Sequence, residues 1–190
     1  MGRKSAVVRI ISGEWRSRLI RFPDIPGLRP TPDAVRETVF NWLQNHLPNS
    51  NCLDLFAGSG ALGFESRSRG ASKVDIVESN TRAFKSLRDN HKILGADTKI
   101  ALHNIQANNF LDQCDHSYDI VFLDPPYEDL ILPQAIHRLH TRKIVKPGSL
   151  IYIEHRAQQD PPVLPDEWNI FRSKRCGEVM AHLTSVENLF

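Results

Sequence analysis

Cysteine is scarce in this 190-residue chain. The three present (Cys52, Cys114 and Cys176) are odd in number, widely spaced and without a Cys-x-x-Cys pair. That pattern excludes a disulfide framework and a cysteine-based zinc site, and reads as reduced structural thiols in a cytoplasmic protein. No stretch approaches the roughly 18 consecutive apolar residues of a membrane span, so no membrane partner is expected. The opening segment has no apolar signal core before Arg9 interrupts it. Internal repeats and low-complexity tracts are missing. His46, His91 and His155 have no ligand-like spacing, so no metal is assigned. What remains, 41% hydrophobic and 24% charged residues, is ordinary for a globular protein that buries its core without covalent staples.

A net charge of only +2 conceals an asymmetry. Residues 1–36 hold eight arginines and lysines against Glu14, Asp24 and Asp33, a balance of +5, which leaves −3 for the remainder. A basic arm on a slightly acidic body suits a polyanionic partner contacted through one end. Charge alone fits a solvated basic hairpin nearly as well.

The pattern along the chain predicts β-prone runs at 7–12 and 15–22, joined across Gly13-Glu14 as a hairpin, and then a Pro/Gly-rich linker. A helix from Thr31-Pro-Asp33 to about Leu47 follows. Thr31 can cap it, Pro32 suits the first helical position and Asp33 favours the positive end. From Asn51 strands and helices alternate: strand 51–56, helix 59–69, strand 73–78, helix 81–94, strand 99–103, a short helix at 108–111, strand 118–123, helix 132–140 and strand 149–154. An antiparallel hairpin at 168–174 and 179–183 closes the chain. This alternation predicts an α/β fold, a doubly wound, mostly parallel seven-stranded sheet with an N-terminal β-hairpin extension. The expected organisation is a basic hairpin and linker over 1–30 and a larger domain over 31–190.

Two acidic turns stand out, Asp54-Leu-Phe-Ala-Gly-Ser-Gly60 and Asp124-Pro-Pro-Tyr127. Each follows a short apolar run, so in one parallel sheet both open at the carboxyl edge, where such folds bind ligands. Gly58-Ser-Gly-Ala-Leu-Gly63 also matches the Gly-x-Gly-x-x-Gly dinucleotide pattern, with Glu78 twenty residues on, which keeps a nicotinamide-dependent oxidoreductase in view. Asp54 tells against it, because a carboxylate aimed at that loop repels a pyrophosphate. A ligand without phosphates but with a sulfonium and an amino group, S-adenosylmethionine, suits the turn better. On that reading Phe56 belongs to the cofactor turn, Gly58 and Gly60 let the backbone approach the ligand, and Glu78 accepts from both ribose hydroxyls. Gln106-Ala107 stands where an acid commonly meets the adenine amine.

The second turn suits a planar amine. An exocyclic amine on an aromatic base is a poor nucleophile, since its lone pair is delocalised into the ring. The Asp124 carboxylate and the Pro125 carbonyl, aimed at its hydrogens, favour a pyramidal nitrogen. Pro125 and Pro126 restrict the backbone and orient that carbonyl, and Tyr127 offers a stacking face for an extruded base. Alone, the same four residues would read as a strand end with a packed tyrosine.

Together the two turns resemble those of the class I S-adenosylmethionine-dependent amino-group methyltransferases, a group that includes DNA adenine and protein glutamine enzymes. The segments Arg9-Ile-Ile-Ser-Gly-Glu-Trp-Arg-Ser-Arg18 and Leu28-Arg-Pro-Thr-Pro-Asp-Ala-Val-Arg-Glu-Thr-Val-Phe-Asn-Trp-Leu43 narrow the likeness to the bacterial RsmD family. The chain departs from that family at Gln106, where an acid is usual, and at Ser12, where glycine is frequent. The resemblance implies methylation of a guanine N2 amine in 16S ribosomal RNA within the small ribosomal subunit, by a monomer. It implies that Thr31 and Arg36 border the methionine end of the cofactor and the substrate entrance. By themselves the two read as a helix cap and a surface arginine. It also implies that Arg9, Arg16, Arg18 and Arg29 meet RNA phosphates, on a hairpin beside the carboxyl edge. A DNA or protein amine methyltransferase (adenine N6 or glutamine N5) on the same scaffold is the alternative.

Overall fold

The computed structural model describes residues 5–28, 31–126 and 130–188, so Arg29 and Tyr127 lie outside the described residues. The elements in order are β1 (Ser5–Arg9), β2 (Leu19–Pro23), α1 (Asp33–Leu43), β3 (Asn51–Asp54), α2 (Ala61–Ser68), β4 (Lys73–Val77), α3 (Thr81–Leu94), β5 (Ile100–His103), α4 (Ala107–Gln113), β6 (Tyr118–Leu123), α5 (Ile131–Thr141), β7 (Val145–Arg156), β8 (Trp168–Cys176) and β9 (Val179–Val186). β1 and β2 form an antiparallel pair, and the rest make one seven-stranded sheet in the order β5-β4-β3-β6-β7-β9-β8. Pairing is parallel from β5 through β7 and antiparallel at β9 and β8. This is the doubly wound fold read from the alternation.

Side chains alternate across the sheet, as strand geometry requires. Cys52, Ile76, Ile120, Phe122 and Tyr152 face a core shared with α1, α2 and α3, through Val39, Phe64 and Leu87. Leu53, Val77, Val121, Leu123 and Ile153 face the opposite core, with Leu111 of α4 and Leu139 of α5. Val8, Ile10, Trp15, Ile20 and Phe22 of the N-terminal segment belong to the first of these cores. The hairpin is thus packed down, not free-standing.

The hairpin differs from its expected form. Its strands are shorter, and residues 10–18 form a wide connection. The reason lies in where the amides go. Ile11 and Ser12 donate to the Glu65 carboxylate (2.7 and 2.9 Å), Glu14 to the Ser68 carbonyl (2.7 Å) and Trp15 to the Ser68 hydroxyl (2.9 Å). α2 therefore takes the bonds that a partner strand would have made. A Cβ on Gly13 would fall 1.9 Å from the Ser68 oxygen, so only glycine permits this approach.

The connection also sits elsewhere than expected. Ser68 ends α2, and Ile93, whose carbonyl accepts from Arg18 (2.7 Å), lies in the last turn of α3. In β–α units those helix ends point to the amino edge of the sheet. The tip of the hairpin is therefore docked away from the carboxyl edge, because Glu14 and Trp15 find their partners at the foot of α2. Only the following linker climbs back, bringing Leu28 over the cofactor turn and Thr31 to Asp124.

α1 is shorter than expected. The helix ends at Leu43, whose carbonyl accepts from both the His46 amide (2.8 Å) and the Leu47 amide (3.1 Å) in a closing turn ahead of Pro48, which disfavours helix at Leu47. β7 is longer than expected. It starts at Val145 and carries Pro147-Gly148 within it, because the Ser149 hydroxyl donates to the Tyr118 carbonyl and accepts from the Lys146 amide, bridging the interruption.

Candidate active site at the carboxyl edge

The strand order reverses between β3 and β6, which opens a crevice beyond their carboxyl ends. Asp54 ends β3 and Asp124 follows β6. The register Asp54 with Phe122 sets Asp124 two residues further along. The pairing of Leu123 with Ile153 sets Glu154 of β7 beside Asp124. Three acids from three neighbouring buried strands thus converge on one crevice.

Asp54 is 2% exposed, and its Oδ2 accepts from the Gly63 amide in the first turn of α2 (2.9 Å). Burial pushes its carboxyl up to about 7, and the nearby Glu78 charge adds to the rise. The carboxylate occupies the helix N-terminus where a pyrophosphate would have to sit, and it lowers the free energy of a cation facing it.

The turn after Asp54 is shaped by two glycines with different tasks. Gly60 has φ +79 just before α2, and a Cβ there would meet Leu87 at 2.5 Å and Phe64 at 2.8 Å. Its smallness serves the core, in addition to the backbone approach to the cofactor expected of it. Gly58 is the open one, since an added Cβ would meet only Leu28 at 3.8 Å. Phe56, half-buried, packs on the opposite core.

Glu78 stands at the end of β4 and closes the turn. Its Oε2 accepts from the Gly58 amide (2.8 Å) and its Oε1 from the Asn80 amide (2.6 Å). Burial raises its pKa against these bonds. The carboxylate keeps acceptor capacity for a ligand hydroxyl. Asn80 caps α3 through Arg82 and Ala83, and Asn104 donates to the Glu78 carbonyl (2.8 Å), so the end of β5 holds the end of β4. Gln106 is exposed and directly precedes α4, and Ala107, half-buried, opens that helix. An open turn at Gly58, a fixed carboxylate at Glu78 and a buried carboxylate at Asp54 fit S-adenosylmethionine. They would meet its backbone-facing ribose and its cationic end.

Beside Asp124, Thr31 contributes its side chain instead of capping a helix. Its hydroxyl donates to Asp124 Oδ2 (3.1 Å), and Pro32 is the residue preceding α1, so Thr31 is not that helix's cap. Burial, followed by the Glu154 charge, raises the Asp124 carboxyl well above the usual carboxylate range. Pro125 is buried and Pro126 exposed, continuing the strand out of the sheet.

The arginines divide. Arg36 is fully buried, not a surface residue. Its Nη2 donates to the Arg9 carbonyl (2.8 Å) and to Asp33 (2.7 Å), and its Nη1 lies 3.7 Å from Glu65. It ties the hairpin to α1 and α2. Arg9, Arg16 and Arg18 are exposed on the docked hairpin. Arg67 and Arg69, basic residues outside the arm, are held by Glu14 and Asp97 and by Glu65, so neither side chain is free for a phosphate. Among the described residues no group of three or more His, Cys, Asp or Glu is arranged to hold a metal ion, and no helix is long and apolar enough to cross a membrane.

Similarity to known proteins bears on this crevice. Residues 8–185 match the family described as conserved hypothetical protein 95. The chain is 40% identical to ribosomal RNA small subunit methyltransferase D of Escherichia coli K12, over 94% of this chain and 90% of that one. It is 41% identical to the Haemophilus influenzae protein of the same name, over 93% and 92%. The chain belongs to the RsmD family. A solved Escherichia coli chain, provisionally named a methyltransferase, superposes with a TM-score of 0.89 at 36% identity, covering 96% of this chain and 99% of that one.

Two residues of this RsmD-family crevice escaped the sequence reading, Glu154 and Tyr152. Glu154 is 3% exposed, and the buried Tyr152 hydroxyl donates to its Oε2 (2.7 Å). The signal was available: Ser-Leu-Ile-Tyr-Ile-Glu is a third apolar run ending in an acid, like those ending in Asp54 and Asp124. Glu65 was also missed. It sits in α2, a helix buried almost all round, and no local pattern distinguishes a fully buried glutamate from a solvated one.

Proposed function

We propose that this protein transfers a methyl group from S-adenosylmethionine to the exocyclic N2 of a guanine in 16S ribosomal RNA, within the small ribosomal subunit, and works as a monomer. The observation that carries the reading is the position of Asp124-Pro125-Pro126 beside the Asp54–Gly60 turn at the strand-order reversal. The names of the Escherichia coli and Haemophilus influenzae relatives support ribosomal RNA as the substrate. The choice of guanine N2 follows the resemblance carried by the 9–18 and 28–43 segments.

In this mechanism Glu78, held in place by the Gly58 amide, orients the ribose, and Asp54 offsets positive charge at the other end of the ligand. Bound S-adenosylmethionine supplies an activated methyl group. Asp124 and the Pro125 carbonyl accept from the two hydrogens of the guanine amine, so its lone pair leaves the ring plane and faces the methyl carbon. Thr31 fixes the Asp124 oxygen that it bonds. With a methyl donor held there, the amine nitrogen would displace the methyl group from the donor's sulfur, and the Asp124 carboxylate or water would take the proton that the nitrogen sheds. Arg9, Arg16 and Arg18 meet RNA phosphates outside the crevice and, with Arg29, set register without taking part in the chemistry.

The test is to incubate the protein with radiolabelled S-adenosylmethionine and, separately, small subunits, free 16S RNA, DNA and bulk protein. Label in small-subunit RNA that digests to N2-methylguanosine is the expected result. Label confined to DNA or protein would replace the proposed substrate.

A further inference from the structure

Glu154 is a buried carboxyl that the methylation chemistry above leaves unused. Strand register brings it to Asp124, since Leu123 pairs with Ile153 and the next residue of each strand is the acid. Register sets the two carboxyl groups side by side at the ends of neighbouring strands, and the Glu154 charge helps to raise the Asp124 carboxyl. Each also has a hydroxyl donor on its far side, the Tyr152 hydroxyl at 2.7 Å for Glu154 and the Thr31 hydroxyl at 3.1 Å for Asp124. Two carboxylates side by side inside a protein do not both ionise near neutrality, so the pair retains one proton between them.

We propose that Glu154 is a positioning residue for methyl transfer, holding one proton in common with Asp124 and so setting the pH at which Asp124 becomes the full carboxylate that receives the amine. The inference rests on the functional reading above. The groups facing Asp124 are Thr31 from the segment before α1, Asp54 from β3 and Glu154 from β7, with Tyr152 behind Glu154. Thr31 favours the ionised form of Asp124, whereas Asp54 and Glu154 oppose it. Of the two opposing acids, Glu154 is the stronger influence, and it stands on the adjacent strand at the same level as Asp124. The arrangement also limits cost: below that pH one shared proton leaves a single negative charge on the pair, so the resting crevice does not hold two bare charges.

The sign follows from the geometry. A carboxyl raised by an anionic neighbour loses its carboxylate, and with it the rate, as pH falls through the raised value. Removing the neighbour lowers that value, so the acid limb must move to lower pH.

The experiment measures single-turnover methylation of small-subunit RNA at saturating S-adenosylmethionine from pH 5 to 9, for wild type, Glu154→Gln and Glu154→Asp. Cofactor affinity and thermal melting are followed alongside. Glu154→Gln is expected to shift the acid limb down by about one pH unit or more. Glu154→Asp keeps the charge but withdraws it, and should fall between. Cofactor affinity stays within about twofold, because Glu78 and Asp54 are untouched. If Glu154→Gln does not fold, Glu154→Asp alone decides by whether its limb moves. Unchanged limbs with lowered melting temperatures would make Glu154 a structural partner of Tyr152 and overturn the inference. Failure of the wild type to label RNA at all would instead overturn the functional reading, so the two failures are distinct.

Discussion

The Thr31 hydroxyl donates to Asp124 Oδ2 across 3.1 Å, joining the segment that leaves the basic arm to the strand end where the amine is received. The contact links two parts of the sequence 93 residues apart. Removing it should act on the chemistry before it acts on the fold. Thr31→Val keeps the shape and deletes the donor, so the ionised form of Asp124 loses support and its carboxyl rises further. The acid limb of the methylation rate should move to higher pH, with a rate loss of roughly 10-fold at neutral pH. A pH–rate series on Thr31→Val checks it, and a limb that stays in place would show the bond to be incidental.

Glu78→Ala should weaken S-adenosylmethionine binding by roughly 1.5–3 kcal/mol, because a charge-assisted bond to the ribose disappears. The effect exceeds a single contact, since Glu78 also holds the Gly58 and Asn80 amides. Calorimetric titration reads it directly. Asp124→Ala, by contrast, should leave cofactor affinity within a few-fold while lowering turnover by orders of magnitude.

Glu65 joins the hairpin to the sheet. It is fully buried, accepts from the Ile11 and Ser12 amides and from Arg69 Nε, and stands 3.7 Å from the buried Arg36. Glu65→Ala leaves Arg36 without that counter-charge and two amides unpaired. The expected loss is roughly 3–5 kcal/mol in denaturant unfolding, with Glu65→Gln milder because the amide oxygen still accepts. A change under about 1 kcal/mol would mean that water replaces the carboxylate.

The layered α/β fold was legible because apolar runs of strand length alternate with amphipathic helices, and both signals are local. Asp54, Glu78 and Asp124 were legible because an acid ending a buried run is chemically conspicuous. Other features depend on contacts no local window contains. Gly60 reads as a ligand-clearing glycine but also answers to Leu87, 27 positions away. Arg36 reads as exposed yet is enclosed by Arg9, Asp33 and Glu65. The hairpin's place depends on Ser68 and Ile93. Long-range packing decides all three.

The arm's docking reshapes its own prediction. Arg9, Arg16 and Arg18 sit on a hairpin whose tip lies toward the amino edge, so RNA that reaches both arm and crevice must run along the α2–α3 face. Replacing all three by Ala should flatten the dependence of log affinity on log salt by about 2–3, close to one for each phosphate no longer neutralised. S-adenosylmethionine affinity should not change. Equal slopes for wild type and variant would leave the arm as a solvated face of the hairpin.

Asp54 offers the sharpest pH test. Its carboxyl rises from a usual value of 3.8 to about 7, with burial as the main cause. In the free protein the native state therefore holds a proton that the unfolded chain has released, so stability falls as pH climbs from 3.8 through about 7. Asp54→Asn removes that penalty while keeping an oxygen for the Gly63 amide. It should melt several degrees higher than wild type at pH 8 and gain little at pH 5. Ligand binding runs the other way. A cation before Asp54 favours the carboxylate, so binding below pH 7 must expel the proton, and affinity should strengthen as pH rises from 6 to 8. Titration in two buffers of different ionisation enthalpy reads the released proton at pH 6. Asp54→Asn should bind more weakly and lose both the proton release and the pH dependence. A wild-type affinity flat from pH 6 to 8, with no proton released, would put the ligand's positive charge away from Asp54.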